Sequence, residues 1–199
     1  MTKFDRTAKL IVTGATAVVF AGMLAACSKG SSPAATQKQE LSACSALPEA
    51  AAAQVMGEKL IAVPMSTSAN SNVQMCQYVD PNNETAILLQ ISPFTGQDAA
   101  GTLKQDAQVA AGVSKNSIIP GKIVPASGLG DGAFFAETTT SPTDRSVQLH
   151  FIEAGHKLLI QINNPKTFTD GENLATGLAQ QAVKNIQDGK AFEASASNG

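Results

Sequence analysis

Apolar residues recur at helical spacing in three stretches of the chain and alternate with polar ones in five others. The first helical stretch opens at Ser45-Ala46-Leu47-Pro48-Glu49, where Pro48 suits a first turn. It continues through Ala50–Met56 and stops at Gly57. A second, Asp98–Ala111, places Ala99, Leu103, Ala107 and Ala110 on one face, and such small residues imply close packing on a sheet. The third begins near Thr169-Asp170, which can cap it. It lines up Leu174, Ala175, Leu178, Ala179, Ala182, Val183 and Ile186, with Gly189 as the stop.

Strand patterns cover Val73–Val79, Thr85–Ser92, Gly132–Glu137, Ser146–Ile152 and His156–Asn163. Pro81-Asn82-Asn83 turns the first into the second. Ala154-Gly155 at the last turn pairs Val147 with Ile162, Leu149 with Ile160 and Phe151 with Leu158, a continuous apolar face. The opposite face carries Gln148, His150, Lys157 and Gln161, which suits solvent. Glu58–Ser71 and the Pro- and Gly-punctuated Ile118–Gly130 read as irregular. The expected order is α-β-β-α-β-β-β-α: an α+β fold with an antiparallel sheet of about five strands and helices mainly on one face.

The first 26 residues have a different character. Lys3, Arg6 and Lys9 stand against a single acid, Asp5, and are followed by an apolar run from Leu10 to Ala26 that is short for a membrane span. The run closes on Leu24-Ala25-Ala26-Cys27, which resembles the lipobox of bacterial lipoproteins. That resemblance implies cleavage before Cys27, a diacylglyceryl group on its thiol, and a membrane partner reached through the N-terminal lipid. Ser28 resembles the outer-membrane default where the envelope has two membranes, with the protein facing the periplasm. Residues 27–40 lack an apolar period and read as a flexible tether, 41–189 as a single α+β domain, and 190–199 as a disordered polar tail.

Of the 14 basic and 16 acidic residues, three and one lie in the leader, so the remainder carries a net charge of minus 4. Mild acidity without a basic run, no Trp and a single Tyr argue against nucleic acid as a partner. With Cys27 assigned to lipid, Cys44 and Cys76 remain for an oxidising compartment, and a disulfide between them is expected. Closing a loop of that length constrains the unfolded chain by about 3.5 kcal/mol. A redox pair or a metal site is the rival use, and metal ligands normally lie closer in sequence, with a His nearby.

Candidate chemistry is sparse. Gly128-Leu129-Gly130-Asp131-Gly132-Ala133 has the glycines of a phosphate loop but precedes a strand rather than a helix, so a tight entry turn is expected. His150, Glu153 and His156 lie on one hairpin and form a surface candidate site, without a third group visibly aimed at a common point. No catalytic, cofactor or metal motif is found. Cys44-Ser45-Ala46-Leu47-Pro48-Glu49, Met75-Cys76-Gln77-Tyr78 and Gly128–Phe134 together resemble a broad group of secreted bacterial lipoproteins built on an uncharacterised domain, over roughly residues 41–188. The resemblance implies the disulfide and the turn. The expected function is a non-catalytic binding or accessory module for an envelope protein or small ligand; the alternative is an envelope hydrolase with an unconventional site.

Overall fold

Alternation of side chains forces each strand to choose which of its two sets of residues to bury, and that choice organises the molecule. The computed structural model describes residues 39–65, 72–115, 122–141 and 144–194. The expected leader, Cys27 and the expected tether as far as Lys38 lie outside them, as do residues 66–71, 116–121, 142–143 and 195–199. In chain order the elements are β1 (Gln39–Leu41), α1 (Ala43–Ala46), α2 (Glu49–Met56), β2 (Ile61–Met65), β3 (Gln74–Val79), β4 (Thr85–Pro93) and α3 (Ala99–Lys115). They continue with β5 (Ile123–Pro125), β6 (Phe134–Ser141), β7 (Asp144–Glu153), β8 (His156–Asn163), α4 (Phe168–Gln187) and β9 (Phe192–Ala194).

Seven strands form one antiparallel sheet in the order β2-β3-β4-β8-β7-β6-β5, while β1 and β9 form a separate ribbon. The fold is therefore α+β, but the expected sheet of five strands is short by two. Ile61–Met65 and Ile123–Pro125, read as irregular, are its edge strands. Each is short and contains a proline, which weakens a strand pattern and is tolerated at an edge. The polar tail is also corrected, because Phe192–Ala194 pairs with Gln39–Leu41 at the end of the expected tether.

Val147, Leu149 and Phe151 of β7 face Ile162, Ile160 and Leu158 of β8 in the expected register, with Ile87, Leu89 and Ile91 of β4 beyond them. This row meets Ala175, Leu178, Ala179 and Ala182 of α4, Ala46 of α1, Leu47 just after it and Ala52 of α2, all fully buried. The α4 cap is Thr167, two residues before the expected site: its Oγ1 accepts the Asp170 amide at 3.0 Å and donates to Asp170 Oδ2 at 2.8 Å. The disulfide between Cys44 and Cys76 is present and joins α1 to β3. Tyr78, also on β3, donates from its hydroxyl to the Leu47 carbonyl, and Asn185 of α4 donates to the Ala46 carbonyl at 2.9 Å.

Helices do not stay on one face. The 17-residue α3 lies across the opposite side of β5, β6 and β7, where Leu103 packs with Phe134 and Ala136 in a second small core. The face expected to meet solvent is thus roofed over one half and open over β2, β3 and β4.

Candidate functional site

The roofed face owes its depth to two backbone requirements. Asp98 caps α3 by accepting the Gly101 amide at 2.7 Å, and a Cβ on Gly101 would collide with that carboxylate. Gly128, Gly130 and Gly132 all have positive φ, so the expected entry turn is formed. A side chain at Gly132 would press on Ala100 at 3.2 Å, so this turn is what lets α3 sit close to the sheet.

Where α3 leaves the sheet, a groove of about 480 Å³ opens between Asp106, Val109 and Ala110 and a floor of Gln90, Gln148, His150 and Leu159. Its size falls within the range of small-molecule sites. Lys157 on β8 reaches Asp106 across it with a nitrogen–oxygen distance of 2.6 Å, both side chains being partly buried. This pair ties roof to floor and leaves the groove without a free charge from either member.

Amide side chains along β8 and β7 form a directional chain that ends on the groove floor at Gln148 and His150. Asn163 Nδ2 donates to the Thr85 carbonyl at 3.0 Å, so Asn163 Oδ1 is left to accept from Gln161 Nε2 at 2.7 Å. Gln161 Oε1 in turn accepts from Gln148 Nε2 at 2.9 Å, and Gln148 Oε1 faces His150 Nε2 at 3.3 Å. Because the first acceptor is a backbone carbonyl, every amide orientation follows from it, and His150 Nε2 must carry the hydrogen. Nδ1 is then the imidazole's acceptor. The ring is stacked on Phe134, with centroids 4.6 Å apart and planes 9° from parallel. Burial lowers the His150 pKa from its usual 6.5 to about 4, opposed by Asp106 and reinforced by Lys157, so the ring is neutral at pH 7.

The three hairpin residues singled out in the sequence do not meet. His150 points to the α3 side, whereas His156 pairs with Glu153 in the register of the other face. His156 Nδ1 instead lies 2.8 Å from the Ala154 carbonyl. Among the described residues no group of three His, Cys, Asp or Glu is arranged to hold a metal. Asp106, Gln90 and Phe134 were not legible as site residues. Gln90 and Phe134 share one cross-strand row with His150 and Leu159, and Asp106 lies one turn past Leu103; each signal requires the fold first.

A larger depression of about 640 Å³ sits beside the β3–β4 turn and the start of α4. Of the four carboxylates that line it, Asp80 and Asp170 already serve local structure: Asp80 Oδ1 accepts the Asn82 and Glu84 amides, and Asp170 belongs to the helix cap. The smaller groove is the better site because its polar groups converge.

No protein-family model and no curated protein matches this sequence.

Proposed function

We propose that this chain is a lipid-anchored envelope protein, held to a membrane through Cys27, whose non-catalytic domain binds a ligand in the groove beneath α3. The observation that carries the binding half is the order on the groove floor. Three amide side chains and one imidazole are locked in one donor sequence, and its last two members, Gln148 and His150, line the groove and leave His150 Nδ1 as an acceptor. Preorganised polar groups beside apolar walls are the ordinary anatomy of a ligand site. The hydrolase alternative has less behind it, since nucleophilic or acid–base catalysis needs partners within hydrogen-bond reach and His150 faces away from Glu153 and His156. The anchor half rests on the leader pattern and Leu24-Ala25-Ala26-Cys27. A lipid anchor of more than one acyl chain would hold stably, each buried methylene contributing about 0.8 kcal/mol.

Metabolic labelling with palmitate is expected to mark the wild-type protein and leave Cys27→Ser unlabelled and in the soluble fraction; an unlabelled wild type overturns the anchor. Native mass spectrometry of protein taken from its own membranes is expected to show a non-covalent adduct. Ala110→Trp, which fills the groove, should lose it. Equal adducts on both proteins, or none on either, overturn the binding site.

A further inference from the structure

Resting on that reading of the groove, we infer that its ligand is a neutral amphiphile. A head bearing hydroxyl or amide hydrogens is received by His150, and an apolar tail lies across the open sheet toward Met65.

The head end is set by the acceptor at His150 Nδ1. Since Nε2 is committed to Gln148, the ring asks its ligand for a hydrogen. The nearest charges, Asp106 and Lys157, face each other and cancel, so a carboxylate, phosphate or ammonium head would be desolvated there without a counter-charge. A neutral head loses far less on entering.

The tail end is set by the cross-strand row. From His150 the register runs through Leu159, Gln90 and Met75 to Met65, with Leu88, Gln77 and Val63 in the neighbouring row on the same face. Four strand spacings separate β7 from β2, about 19 Å at ~4.8 Å each. Ile61, Val63 and Met65 are 50%, 40% and 39% exposed, and Val109 overhangs from α3 at 69%. These are the large apolar residues the described surface leaves in water, and all but Ile61 border this one path.

A peptide strand adding to the sheet at β2 fits worse than a tail. The Ala62 amide, which faces outward, donates to Glu49 Oε2 at 3.0 Å, and the next outward position, Pro64, has no amide hydrogen. The edge therefore offers few donors to a partner backbone, while the side chains on its face remain available.

The full chain carrying Cys27→Ser, with methyl groups and histidine rings isotopically labelled, tests this by NMR titration. The probes are octyl glucoside, octanoate and octyltrimethylammonium, each below its micelle concentration. Octyl glucoside is expected to give saturable shifts at His150, Leu159, Met75 and Met65, and to bind about fourfold to fifteenfold more tightly than hexyl glucoside, as two partly to fully buried methylenes require. His150→Phe keeps the stacked ring and should weaken octyl glucoside at least fivefold without disturbing the methyl spectrum elsewhere. Tighter binding of octanoate or of the ammonium at the same residues overturns the ligand class while leaving the groove a site. No saturable shift from any probe overturns both the class and the groove. Concentration-dependent shifts of the same row in ligand-free protein identify a second copy as the occupant and overturn the proposal.

Discussion

Two buried titratable groups give stability opposite dependences on pH. His150 has a folded pKa near 4, below its usual 6.5, so its contribution is complete above pH 6.5 and is lost as pH falls through the interval to about 4. Asp106 and Lys157 are the charges facing that ring. Thermal melts of His150→Phe are therefore expected to fall less steeply than wild type between pH 6.5 and 4. Glu137 behaves in the reverse sense. Its side chain is only 3% exposed, and burial raises its pKa; Lys122, 3.6 Å away, opposes the shift, and Glu172 adds to it. A raised carboxyl favours the folded state at low pH and loses that contribution as pH rises past the ordinary carboxylate range. Glu137→Gln should thus raise the melting midpoint at pH 7 and have little effect near pH 4, and an equal effect at both would contradict the assignment. Glu137 does not stand out in the sequence, where it occupies an ordinary alternating position, and the burial that keeps His150 neutral is not legible there either. Their chemistry comes from what α4 and α3 place over them.

At the scale of the element, α1 shows how a single helical turn is held. Four residues cannot sustain a helix alone. The Cys44–Cys76 bond, the Tyr78 hydroxyl on the Leu47 carbonyl and the Asn185 amide on the Ala46 carbonyl secure it from three directions. Tyr78 is fully buried, and that burial pushes its hydroxyl well above the usual tyrosine pKa. Tyr78→Phe leaves the Leu47 carbonyl without its donor and should cost about 1–3 kcal/mol in denaturant melts. The edge strand β2 makes a second case. Glu49 and Pro64 together blunt its outward backbone, so Glu49→Ala combined with Pro64→Val should promote self-association, measurable by sedimentation. Elements with long, consistent periods were legible in the sequence: α4, and the β7–β8 pair down to its register. The edge strands were not, because Ile61–Met65 lacks polar alternation and Ile123–Pro125 is three residues long. The ribbon strands β1 and β9 are equally short and are joined across most of the chain. Thr167 caps α4 in place of the expected Thr169-Asp170, because polar residues able to cap the same apolar stripe lie on both sides of Phe168.

Over the whole molecule, the sheet separates two jobs. One face carries α1, α2 and α4 and buries most of the apolar residues; the other carries α3, the groove and the open half. The sequence suggested a covered face and a solvent face. It could not show that Asp98–Ala111 crosses to the second side, since small apolar residues at helical spacing pack equally well on either surface of a sheet. The candidate site was legible only at His150, and Glu153 and His156 were grouped with it because the hairpin brings them near in sequence while the pleat sends them to the other side. The β1–β9 ribbon adds a mechanical consequence. A pull from the chain ahead of Gln39 meets three residue pairs to β9 and then, at Cys44, a covalent bond into the sheet. Peeling the ribbon releases only a few residues of slack, roughly 3.4 Å each, before the load reaches sulfur. Such a load would therefore enter the sheet at β3, three strand spacings from β7, which carries His150.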